Sequence, residues 1–165
     1  MPKEVRELND EYTRIGGNLI ATMPELQYIK DSKARIAFLE SNYDKRSNCK
    51  AVFGECEKIA DKNKWALQAD FTITVYAPNI EGFSEKQIAI LLFHELLHIG
   101  IDYRQGGEEV YSIRPHDVED FKVIIEKYIK ARELECAILQ TNKIIPSPIG
   151  EIRSSNTFYD YEAKY

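Results

Sequence analysis

If the run His94-Glu95-Leu96-Leu97-His98 is helical, it presents two imidazoles one turn apart with a carboxylate beside them. Residues at i and i+4 project side by side, so His94 and His98 can give one divalent metal two nitrogen ligands while Glu95 stays free to act as a base. A catalytic zinc takes three protein ligands and leaves one position open for water. The chain has three histidines, and the third, His116, follows His98 by eighteen residues. The expectation is therefore a Zn2+ site of His94, His98 and His116 with Glu95 as general base. Glu119, and Glu108 or Glu109, compete with His116 for the third position. Asp117, Glu119 or Asp120 could orient a ligand ring from behind, although a helix N-terminus favours acids for its dipole alone. Tyr103, Tyr111 and Arg114 are candidate donors to a developing oxyanion.

The motif needs a rigid element beneath it. Ser84-Glu85-Lys86-Gln87 reads as a capping box that opens a helix running to about Ile99, with Gly100 as its stop. Ile88 through Ile99 is apolar nearly all round, so this helix should lie buried between a sheet and other helices. A polar, Gly-containing connection is expected over Ile101 to Arg114. Pro115 then opens a second helix with Val118, Phe121, Ile125 and Tyr128 as its packing stripe. Upstream, Val5, Leu8, Tyr12, Ile15 and Leu19 recur at three and four, which predicts a helix from Lys3 to about Thr22, weakened at Gly16 and Gly17. Arg35 to Leu39, Ala51 to Ile59 and Asp70 to Tyr76 are β-prone and bounded by turn signals, so they read as three strands of one sheet, with Gly54 as a bulge in the middle one. The fold class expected is α+β, a small and mostly antiparallel sheet packed on the motif helix. A domain over residues 1–130 is followed by an extension over 131–165, packed on the same domain or partly flexible, in which the helix can run on through Arg132-Glu133-Leu134 before Pro146, Pro148 and Gly150 break any regular element.

A length of 165 residues and 44% hydrophobic content suit one globular domain. The longest apolar run, Ile88 to Phe93, is far short of the ~20 residues that span a bilayer, and the N-terminus carries no leader pattern, so a soluble cytoplasmic protein is expected. Three cysteines without a Cys-x-x-Cys pair argue against a disulfide framework and against a cysteine-ligated zinc ribbon. A net charge of −5 disfavours nonspecific nucleic-acid binding by the whole surface. Tyr28 to Lys64 nevertheless holds nine Lys or Arg against six Asp or Glu, spread as a solvated surface would be.

His94-Glu95-Leu96-Leu97-His98 followed by Arg114-Pro115-His116-Asp117-Val118-Glu119-Asp120-Phe121 resembles the phage metallopeptidase family, and Gly54-Glu55-Cys56 and the strand Phe71 to Tyr76 also look similar to it. The arrangement is similar in turn to SprT-like zincins, in which a third histidine arrives from the next helix. The resemblance implies a zincin-like zinc peptidase of bacterial or phage origin, acting on a peptide or protein substrate. The acidic charge and the missing cysteine ribbon depart from the SprT pattern and weaken any link to DNA. The extended metzincin motif would need glycine at 101 and histidine at 104, where the chain has Ile101 and Arg104. A substrate peptide is expected to lie along the sheet, with Phe71 to Val75 as its first candidate partner. The rival functions are a metal-binding regulatory protein without turnover and an interaction domain without metal.

Overall fold

Asn9 decides where the first helix begins. Its side-chain oxygen accepts from the Tyr12 N–H, and α1 (Asp10–Thr22) follows with Tyr12, Ile15 and Leu19 buried. The computed structural model describes residues 3–116. Within it the segment before Asn9 is not the helix that the apolar periodicity predicts, but an exposed strand, β1 (Arg6–Leu8). Nor do the two glycines interrupt α1, because Gly16 faces the Phe38 ring, which fills the space a Cβ would need.

The chain continues through α2 (Gln27–Lys30) and β2 (Ile36–Ser41) to a small hairpin of β3 (Arg46–Ser47) and β4 (Lys50–Ala51). Next come β5 (Gly54–Lys58), α3 (Lys64–Leu67) and β6 (Phe71–Tyr76). The three expected strands are all present, with β1 added. They form one mixed sheet in the order β1-β2-β6-β5, parallel between β2 and β6 and antiparallel at the two outer pairings. Gly54 opens β5 as an ordinary paired residue opposite Val75, where a mid-strand bulge was expected.

Alternation along β6 separates two environments. Phe71, Ile73 and Val75 join Ile15, Leu19, Leu92 and Leu96 in the core beneath the helices. Thr72, Thr74 and Tyr76 point to the opposite face, where the Tyr76 hydroxyl donates to Glu55 at 2.8 Å and accepts from Lys45 at 3.1 Å. Burial, reinforced by the Glu55 carboxylate, pushes that phenol up to about 12. Because β6 lies between β2 and β5 with every residue buried, it cannot pair with a substrate, and the expectation for Phe71 to Val75 is corrected. Among the described residues the edge strands of this sheet are β1 and β5, and it is β5 that borders the cleft over the histidines.

Helix α4 (Glu85–Leu97) starts at the predicted capping box, with Ser84 and Gln87 bonded reciprocally. It packs on α1, β5 and β6, which explains its apolar character all round. It stops two residues earlier than expected: His98 is its C-cap, and Gly100 lies inside β7 (Ile99–Tyr103). The expected connection from Ile101 to Arg114 is a β-hairpin, since β7 pairs antiparallel with β8 (Glu109–Ile113) around a turn in which Gly106 and Gly107 take positive φ. The expected helix after Pro115, the acids Asp117, Glu119 and Asp120, and the extension 131–165 lie outside the described residues.

Candidate metal centre

The hairpin that follows α4 is what carries the third histidine to the other two. Its register sets Ile99 opposite Ile113, and the ladder extends one step further, as the Arg114 N–H donates to the His98 carbonyl at 2.7 Å. Pro115 has no N–H and ends the ladder. His116 then turns its ring across the end of α4, where its Nε2 lies 3.0 Å from the Nε2 of His94.

The three rings form a compact triangle, with centroids 5.2 Å apart for His94 and His98, 4.9 Å for His94 and His116, and 4.7 Å for His98 and His116. One ligand nitrogen from each lies within 4.8 Å of the others. Nitrogens around a tetrahedral zinc with bonds of about 2.0–2.1 Å stand roughly 3.3 Å apart, so small ring adjustments would satisfy an ion at this point. His98 is already oriented: its Nδ1 lies 2.7 Å from the Arg114 carbonyl, to which it donates in the neutral ring, and this leaves Nε2 as the lone-pair nitrogen. The arrangement also sits on the last turn of α4, where backbone carbonyls favour a cation.

A cleft of about 460 Å³ opens over the triangle, lined by the three histidines, Glu95, Ile113 and the segment from Ala51 to Cys56. Glu95 is 5% exposed and lies against Gly54. Burial, together with the charge of Glu95, holds the neighbouring Cys56 thiol far above its usual range, so Cys56 remains a neutral wall residue. The rim above the cleft is anchored by Asn79, whose side-chain amide donates to the carbonyls of Lys45 at 2.8 Å and Val52 at 2.7 Å, the two roots of the β3–β4 hairpin.

Several other candidates lie away from the histidines. Arg114 aims its guanidinium at Tyr28, 5.7 Å from the ring centroid, and contributes its backbone to the site instead. Tyr111 donates to Glu109 and packs on Phe71, while Tyr103 is exposed on the hairpin. None of the three lines the cleft. Glu109 accepts from the Lys33 N–H and Glu108 pairs with Arg104, so among the described residues neither joins the histidines. The contribution of Gly54 went unrecognised, because a glycine marks a close approach without saying to what.

The family model described as "Putative phage metallopeptidase" matches residues 5–145. The chain belongs to that family. A metal ion and a peptide or protein substrate are what membership of the phage metallopeptidase family implies. Among curated proteins the chain is similar to D-alanine–D-alanine ligases. That of Acetivibrio thermocellus is 31% identical over 122 residues, 70% of this chain and 27% of the ligase. That of Caldicellulosiruptor bescii is 33% identical over 108 residues, 65% and 29% of the two chains. For Prochlorococcus marinus the identity rises to 50% but over 46 residues, 28% of this chain and 13% of the ligase. This member of the phage metallopeptidase family thus spans under a third of the length of these relatives. No solved structure matches it. Among the described residues no helix is long and apolar enough to cross a membrane.

Proposed function

We propose that the chain is a zinc-dependent peptidase of zincin-like design, in which His94, His98 and His116 hold the metal and Glu95 is the general base. The observation that carries this reading is the convergence of three imidazole nitrogens within 4.8 Å at the floor of a cleft that also contains Glu95. Three neutral nitrogens suit a borderline-soft ion such as zinc better than magnesium or calcium. Zinc bound there supplies Lewis acidity and lowers the pKa of a water from ~16 to ~7. Glu95 takes the proton of the attacking water and passes it to the departing amine. Its burial favours this, since a carboxylate shielded from bulk solvent keeps its proton inside the reaction path.

The backbone of β5 supports an extended peptide as the substrate. The Tyr76 N–H bonds to the Phe53 carbonyl at 3.0 Å and the Ile59 N–H to the Asp70 carbonyl at 2.9 Å, which fixes the phase of the β5–β6 ladder. Odd-numbered residues therefore bond to β6, and the N–H and C=O groups of Gly54 and Cys56 point to the open edge beside the cleft. A peptide pairing there adds a strand and brings a carbonyl over the histidines. The ligase similarity covers too small a part of those proteins to bring their activity to this chain.

The test compares the parent protein with Glu95→Gln on an unstructured protein substrate, with zinc measured in both. The amide keeps the shape of the side chain and cannot take a proton, so zinc content should be equal while the rate falls about 10²–10⁴-fold. A Glu95→Gln protein that cleaves as fast as the parent would contradict the reading. Equal zinc with no cleavage by either protein would favour the regulatory alternative.

A further inference from the structure

We infer that Gly54 is a positioning residue for the proposed base: its missing side chain is the seat of the Glu95 carboxylate, and any larger residue there displaces that group. This rests on the reading of Glu95 given above.

A Cβ on Gly54 would stand 2.9 Å from Oε1, 3.1 Å from Cγ and 3.2 Å from Cδ of Glu95. All three distances are shorter than ordinary contact, and rotation about the last bond can move Oε1 but leaves the close approaches of Cγ and Cδ in place. Backbone strain is not the reason for the glycine. The described glycines with positive φ are Gly82, Gly106 and Gly107, so the Gly54 backbone would accept alanine and the obstacle is Glu95 itself.

Neither partner can withdraw easily. Glu95 springs from the buried last turns of α4, between His94 and Leu96, and the whole residue is 5% exposed. Gly54 is pinned in the other direction, since β5 pairs with β6 from Gly54 opposite Val75 to Lys58 opposite Phe71. Contact with Gly54 therefore holds the carboxylate against the strand whose backbone faces the cleft, where it can take the proton of a water lying between strand and histidines. A shift of about 1 Å in a reacting group is enough to cost ~10²-fold in rate.

The first experiment needs neither metal nor turnover. Urea unfolding midpoints are measured for the metal-free parent, Gly54→Ala, Glu95→Ala and the double variant. Gly54→Ala should lower the midpoint clearly in the parent background and scarcely at all when Glu95 is alanine, because the overlap is then gone. A Gly54→Ala protein that folds only in combination with Glu95→Ala supports the contact equally. The same loss in both backgrounds would overturn it.

The second experiment loads the parent and Gly54→Ala with zinc and measures acetohydroxamate affinity, with kcat and KM on any substrate the parent cleaves. Positioning predicts unchanged zinc stoichiometry, hydroxamate binding at least tenfold weaker, and a fall in kcat of ~10²-fold with KM within about twofold. Unchanged hydroxamate binding and kcat would make Gly54 a packing residue and overturn the proposal. A parent that holds no zinc would instead defeat the metal reading, and the urea cycle would still decide the contact.

Discussion

His94, His98 and His116 differ in surroundings: His94 is buried, His98 is intermediate and His116 is exposed. Exposure lowers a side chain's share of packing, but a coordination bond depends on the nitrogen's place around the ion. Losing an outer partner of a ligand already costs ~10–100-fold in metal affinity, and losing a ligand costs more. His116→Ala should therefore weaken zinc binding as much as His94→Ala, by more than ~10²-fold, while Glu109→Ala leaves it unchanged. Competition with a chromogenic chelator compares the three. Release of zinc by Glu109→Ala but not by His116→Ala would reverse the ligand assignment. The two substitutions should separate in stability, since His94→Ala also opens a hole in the wall of α4 and His116→Ala does not.

At the scale of elements, the third histidine depends on the register of β7 and β8. Side chains in a strand alternate, so a one-residue slip turns His116 away from the triangle. One glycine inserted between Ile113 and Arg114 should abolish metal binding, while the same insertion between Gly106 and Gly107, in the exposed turn, should leave it intact. Isothermal titration with zinc reads both variants, and equal binding by the two would refute the dependence on register. A second element-scale link joins β2, α3 and β6. Asp70 is almost fully buried, accepts from the Arg35 N–H at 2.9 Å and pairs with Lys64 at 3.2 Å. Burial alone would raise its pKa, but the Arg35 and Lys64 partners outweigh it and hold the carboxyl below its usual 3.8. A depressed folded pKa adds stability that is present above ~4 and is lost as pH falls through the folded value. Asp70→Asn should thus lower the urea midpoint at pH 7 and flatten its decline below pH 4. An unchanged acid slope would show that other carboxylates govern acid unfolding. Some of these elements were legible and some were not. The capping box at Ser84 and the run Phe71 to Tyr76 carry strong local signals. β1 was hidden because Val5 and Leu8 continue the period of α1 by coincidence, and Asn9 is what divides them. The β7–β8 hairpin is hidden in the sequence because its polar turn dominates. The alternation of Ile99, Ile101 and Tyr103 with Tyr111 and Ile113 around Gly106-Gly107 was the signal that could have revealed it.

At the scale of the whole molecule, the described sheet, helices and histidines form one layered unit within residues 3–116. Four of the nine bases between Tyr28 and Lys64 are paired in place, with Arg35 and Lys64 on Asp70, Lys45 on Glu55 and Arg46 on Asp44. We propose that residues 131–165 are dispensable for the metal centre. A chain ending at residue 130 should then bind zinc with the affinity of the full chain by the same titration, and a large loss would make the extension part of the domain. The spacing of the three histidines pointed to their convergence, whereas the path that joins them, a hairpin closed by Pro115, is not readable from spacing alone. The central claim is that this triangle holds one zinc ion. Elemental analysis of the full chain, purified without a metal-affinity tag and then offered zinc, tests it directly. The account predicts one equivalent of zinc per chain, and well below half an equivalent with no uptake on adding zinc would contradict it.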